Sequence, residues 1–149
     1  MDKLKKLSQE LLALLGVEPQ TLKISRDQDG AISLDVALPE TEAGIMIGYH
    51  GETIAALQLL LNMMAYKQTG EWSKLVVNIG DYRQKRTDYL TVLAQDTAAK
   101  VVGSQEPLAL YGLNPFERRV VHMALSQSGQ VITESQGEGK NRFLVVSPK

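Results

Sequence analysis

Two glycines three residues apart, Gly48 and Gly51, stand between a short apolar segment, Ile45-Met46-Ile47, and a longer one in which Ile54, Leu57, Leu61 and Met64 recur at helical spacing. Gly48-Tyr49-His50-Gly51 therefore has to connect two apolar helices through a tight turn. Glycine removes side-chain bulk there, so a phosphate-bearing chain would be able to approach the main-chain amides. The partly positive N-terminus of the following helix would point at the same place. An ordinary helix-turn-helix connection fits the same two glycines, so the turn takes its meaning from what surrounds it.

Before it, Leu4, Leu7, Leu11, Leu12, Leu14 and Leu15 recur at helical spacing up to Gly16, with Pro19 just beyond, which predicts one amphipathic helix. Thr21–Ser25 and Ala31–Val36 alternate apolar and polar around Asp27-Gln28-Asp29-Gly30, the pattern of an antiparallel hairpin. After the turn, a helix closed by Gly70 and a strand over Leu75–Ile79 complete the order αββααβ. The spacing next predicts a long helix from Tyr82 to about Val102, with Leu90, Leu93, Thr97 and Val101 on one side, ended by Gly103 and Pro107. Leu108–Leu110 reads as a short strand. Asn114-Pro115-Phe116-Glu117 opens a further helix, with Asn114 as cap, Pro115 at its first position and Glu117 reaching back. Val131–Ser135 and Arg142–Val146 flank Gly137-Glu138-Gly139-Lys140 as a second hairpin. The fold class expected is α+β, in two small domains of residues 1–80 and 81–149, joined by the helix that begins at Tyr82.

Arg118 and His122 are four apart on the helix opened by Asn114, so they project from one face and would converge on one phosphate or base. Arg119 adds a neighbouring charge. A solvated helix face, or a structural histidine donating to a backbone carbonyl, accounts equally for the pair taken alone. Residues 1–80 hold seven Lys/Arg against ten Asp/Glu, or −3, and residues 81–149 nine against seven, or +2. The second half is thus the better candidate for an anion-facing surface, with a chance asymmetry as the alternative, and the net charge of −1 argues against coating nucleic acid by bulk charge. Arg83, Lys85 and Arg86 stand either as a second phosphate strip or as a solvated first turn. Ile45, Leu57, Phe116 and Phe143 read as core.

The run Asn114-Pro115-Phe116-Glu117-Arg118-Arg119-Val120-Val121-His122-Met123-Ala124-Leu125, followed by Thr133-Glu134-Ser135-Gln136-Gly137-Glu138 and Arg142, resembles the R-three-H domain, named for its Arg-x-x-x-His motif. The αββααβ order around Gly48-x-x-Gly51 resembles the type II KH domain. Asp81-Tyr82-Arg83-Gln84-Lys85-Arg86 is similar to the joint between these two domains in the Jag family, the SpoIIIJ-associated RNA-binding proteins. The resemblance runs from about Glu18 onward. It implies binding of single-stranded RNA, with single-stranded DNA as an alternative, and a role in post-transcriptional control linked to cell elongation or division. It assigns Gly48, Tyr49, His50, Gly51 and Ile47 to the KH groove, and Arg118 and His122 to nucleic-acid contact. It implies Arg119, Lys140 and Arg142 as supporting charges, with Arg83 and Arg86 joining the nucleic-acid-binding set on the phosphate-strip reading. Such KH loops commonly carry Lys or Arg between the glycines; Tyr49 and His50 depart from that, which turns the first domain toward pairing with another KH domain, in a homodimer or with a small KH protein. Many members also carry an N-terminal Jag domain and a charged linker. This sequence begins close to the KH region, so functions tied to those parts are not carried over.

The competing classes are narrowed by simple absences. With no cysteine, disulfide scaffolds, thiolate metal sites and cysteine nucleophiles are excluded. Two histidines and no Gly-rich nucleotide loop with its lysine argue against an enzyme, a metal or a cofactor. No apolar run is long enough for direct membrane insertion, and the N-terminus lacks a secretory pattern, so the cytoplasm is the expected location. A protein-protein interaction module remains the alternative to a strand binder.

Overall fold

The computed structural model describes residues 2–28, 30–72 and 74–149. They divide into two compact units, one reaching to Arg83 and the other running from Gln84 to Lys149.

The first unit comprises α1 (Asp2–Leu14), β1 (Thr21–Arg26), β2 (Ile32–Ala37), α2 (Glu40–Ile47), a single 3-10 turn over Tyr49–Gly51, α3 (Glu52–Thr69) and β3 (Leu75–Ile79). Its sheet has the order β1-β2-β3, antiparallel between β1 and β2 and parallel between β2 and β3. The register sets Ile32 beside Leu75, Leu34 beside Val77 and Val36 beside Ile79. All six are buried and meet Ile54, Leu57 and Leu61 of α3, Met46 of α2 and Leu12 of α1. Alternation along the strands turns Ser33, Asp35 and Asn78 to the other face, where the Asn78 amide donates to Ser33 Oγ (3.0 Å) and Asp35 Oδ1 (2.7 Å). Leu14 and Leu15 lie outside the apolar face expected of them. The helix stops at Leu14, and both side chains are exposed. In the hairpin turn, Asp27 Oδ1 accepts from the Ala31 amide at 2.7 Å, while Asp29 lies outside the described residues.

An edge strand is a template for unwanted pairing unless it is covered. On β3 the cover comes from side chains: Gln58 Oε1 accepts from the Val77 amide (3.1 Å) and Asn62 Oδ1 from that of Leu75 (3.3 Å). Arg83 completes it, donating from Nε (3.2 Å) and Nη2 (3.1 Å) to the Val77 carbonyl and from Nη2 to Gln58 (3.1 Å).

The second unit carries most of α4 (Tyr82–Ser104), then β4 (Leu108–Leu110), α5 (Pro115–Ser126), β5 (Val131–Gln136), a 3-10 turn over Gly139–Asn141 and β6 (Phe143–Pro148). Its sheet is antiparallel, in the order β4-β6-β5. Leu90, Ala94 and Val101 of α4 pack with Val121 and Leu125 of α5 against Val131, Leu144 and Val146. Thr97, also buried, donates its hydroxyl to the Leu93 carbonyl. Gly103 does not end α4 as expected. It is helical, and the left-handed residue is Gln105 (φ 59°), whose amide donates to the Val101 carbonyl.

Candidate nucleic-acid interface

The motif helix is fixed at its N-terminus before its charged face is placed. Asn114 Oδ1 accepts from the Glu117 amide (2.9 Å) and Glu117 Oε2 from the Asn114 amide (3.0 Å), a reciprocal capping box with Pro115 at the first helical position. Glu117 is only 2% exposed, and its other oxygen accepts from Arg86 Nε of α4 at 2.7 Å. A buried carboxylate is tolerated when charge and hydrogen bonds compensate it. Here both oxygens are bonded, and the pair ties the first turn of α5 to α4.

With Val121 and Leu125 turned inward, α5 presents Arg118, Arg119 and His122 outward. Arg118 is held from behind, since Nη1 donates to the Leu113 carbonyl (2.7 Å) and lies 3.5 Å from the Arg142 carbonyl. His122 Nδ1 is paired with Thr133 Oγ1 on β5, so its partner is a hydroxyl and not the backbone carbonyl considered above. Together these residues line a shallow cavity of about 450 Å³, bounded by Pro115, Arg118, Arg119, His122, Thr133, Ser135, Arg142 and Leu144. Three arginines, a histidine, a threonine and a serine are among the lining residues, and no Asp or Glu is. Such a donor set matches a phosphate group, which guanidinium binds in planar, bidentate geometry. Gly137 (φ 80°) permits the neighbouring turn, because a Cβ there would lie 2.8 Å from the Asn141 carbonyl oxygen.

Thr133 and Ser135 were not among the expected site residues, although their i, i+2 spacing on β5 puts both on the face toward α5. Lys140 lies exposed in the 3-10 turn and is not among the cavity-lining residues. Arg83 and Arg86 both have partners within the protein: Arg83 closes the β3 edge and Arg86 is paired with Glu117. Phe116, expected in the core, is 64% exposed. Phe143 is half-buried and packs its ring 4.8 Å from that of Tyr111.

In the first unit, Gly48 (φ 70°, ψ −176°) and Gly51 (φ 85°) adopt conformations that L side chains rarely reach. A Cβ on Gly48 would overlap the Thr53 hydroxyl and lie 2.9 Å from the Thr53 amide nitrogen; one on Gly51 would lie 3.1 Å from the Tyr82 ring. Between them the Tyr49 and His50 rings stack on each other, with centroids 4.0 Å apart. The Gly48 amide donates to the Gly44 carbonyl and the Gly51 amide to that of Gly48, and Glu52 occupies the first turn of α3. Ile47 is half-buried against the core. Ile45, in contrast to Leu57, is not core: it is 74% exposed, because α2 turns Met46 inward in its place.

Residues 5–79 match the family model of the KhpA/KhpB KH domain, and residues 88–148 match that of the R-three-H domain. Among characterised relatives, the RNA-binding protein KhpB of Clostridium symbiosum is 33% identical over 116 residues, which cover 78% of this chain and 52% of that protein. The Bacillus subtilis (strain 168) protein of the same name is 34% identical over 110 residues, 72% of this chain and 53% of the relative. That of Lactiplantibacillus plantarum is 34% identical over 107 residues, 72% of this chain and 33% of the relative. The chain thus spans between a third and about half the length of these relatives. Both domains and their order agree, and the chain belongs to the KhpB, or Jag, family.

Proposed function

We propose that this chain binds single-stranded RNA through the second domain, with Arg118, Arg119, His122 and Arg142 as the phosphate-contacting groups and Thr133 and Ser135 as auxiliary donors. The observation that carries this reading is that three arginines, a histidine, a threonine and a serine line one shallow cavity with no Asp or Glu among its lining residues. The name of the relatives, RNA-binding protein KhpB, supports it. Binding is passive, without catalysis, metal or cofactor. Cytoplasmic location and a part in post-transcriptional control tied to cell elongation or division belong to the same proposal. They rest on the family resemblance; no helix among the described residues is long and apolar enough to cross a membrane.

The first domain, on this reading, pairs more than it reads. Its Gly48–Gly51 turn holds no Lys or Arg and has Glu52 at the adjoining helix start, whereas α3 exposes Leu59, Leu60 and Met63. Those apolar side chains suit a second KH domain, in another copy of this chain or in a small KH protein.

The test is fluorescence anisotropy of labelled single-stranded RNA and sequence-matched DNA across a salt series, with wild type beside Arg118→Ala/His122→Ala. Binding that weakens with salt and is lost in the double variant supports the reading. Absence of RNA binding at low salt by the folded protein refutes it, and equal binding of DNA removes the preference for RNA.

A further inference from the structure

A second feature of the R-three-H domain belongs to neither the lining of the cavity nor the core. Tyr111 follows β4 and is 70% exposed, so burial of its ring does not explain its position. One face of that ring rests on Phe143, with centroids 4.8 Å apart and planes inclined by 35°. Alternation along β6 sends Phe143 to the sheet face opposite Leu144, while Arg142 and Leu144 line the cavity.

Arg118 bolts the two features together. Its Nη1 donates to the Leu113 carbonyl, two residues from Tyr111, and approaches the Arg142 carbonyl, one residue from Phe143. Two residues of extended backbone span at most about 7 Å. The Arg142 carbonyl is bonded directly to the Phe143 nitrogen, so by the bonded path the ring pair lies on the order of 10–15 Å from the Arg118 guanidinium, on the other sheet face, and a strand passing over that end of the sheet would meet both.

We propose that Tyr111, backed by Phe143, is a stacking subsite for a base of the same RNA strand whose phosphate the Arg118 cavity holds. This rests on the RNA-binding reading above and adds a contact that reads the π-face of a base instead of charge. Aromatic stacking tolerates any base, so the subsite adds affinity and direction along the strand without a strong sequence preference. The cavity alone grips phosphate; the ring would orient the strand where it passes from the cavity to the other sheet face.

Anisotropy titrations of a labelled single-stranded RNA with the full chain test this, comparing wild type, Tyr111→Ala, Tyr111→Leu, Tyr111→Phe and Arg118→Ala over the same salt series. Loss of one stacked base is worth roughly a 5- to 150-fold weakening. That weakening is expected in Tyr111→Ala with the salt slope unchanged, because no phosphate contact is removed. Tyr111→Leu keeps an apolar contact on Phe143 but has no π-face, and it is expected to bind as weakly. Tyr111→Phe keeps the ring and is expected to bind like wild type. If Arg118→Ala weakens binding while Tyr111→Leu does not, the cavity reading stands and the stacking subsite falls. A Tyr111→Phe as weak as Tyr111→Ala also overturns it, since the hydroxyl would then be the contact. If wild type binds no RNA, the reading beneath both has failed.

Discussion

Arg86→Ala isolates the link between the two helices that position the Arg118 face. The variant leaves Glu117 buried, with Asn114 still donating to one oxygen and no cation beside the other. For charges about 4 Å apart, an effective dielectric near 20 gives an attraction of about 4 kcal/mol. Removing one member of a buried pair costs about 3–5 kcal/mol, and the 18% exposure of the Arg86 side chain lets water repay part of it. The expected loss is therefore about 3 kcal/mol. Residues 84–149 number 66, so stability of this unit at about 0.05–0.15 kcal/mol per residue is about 3–10 kcal/mol in all. A loss of that size lowers its thermal midpoint by about 12–24 °C. Far-UV circular dichroism during heating and in urea reads the change. The single tryptophan, Trp72, lies in the first unit, and its fluorescence transition serves as the internal control. Glu117→Gln is expected to cost a similar amount, because one of the two donors, Arg86 Nε or the Asn114 amide, must then face an amide NH₂. The double variant should lose less than the sum of the two, since the second change removes a group already orphaned by the first. A loss below about 1 kcal/mol in Arg86→Ala would refute the reasoning, showing that the cap alone compensates the carboxylate.

Two further outcomes follow from the first unit. Gly48→Ala places a Cβ at a φ/ψ combination that is essentially glycine-only, against the Thr53 backbone, and is expected to destabilise this unit by at least about 1–3 kcal/mol; the urea midpoint of Trp72 fluorescence measures it. Arg83→Ala is expected to cost about 1–3 kcal/mol by uncovering the Val77 carbonyl, and to leave the salt slope of RNA binding unchanged. A reduced slope in that variant would mean that Arg83 contacts phosphate after all.

Much of this protein is legible residue by residue because its signals are local. Asn114, Pro115 and Glu117 form their cap within four positions. The αL glycine after α3, Gly70, acts within one turn. Strand alternation at Ile32, Leu34 and Val36 shows which face is buried without reference to any partner. The convergence of Arg118 and His122 follows from helical geometry alone.

What needed the tertiary structure is every assignment that depends on which element lies opposite. Arg83 and Arg86 look alike in sequence, yet one closes a strand edge and the other neutralises a carboxylate 31 positions away. His122 finds Thr133 only when β5 is laid against α5. Ile45 and Phe116 are as apolar as their buried neighbours and are exposed, because hydrophobicity records what a side chain would gain by burial and not whether packing has a place for it. Periodicity, caps and turns were set by the chain itself through interactions spanning a few residues. The membership of the cavity and the pairing of the Tyr111 and Phe143 rings were decided by long-range packing, which no local pattern encodes.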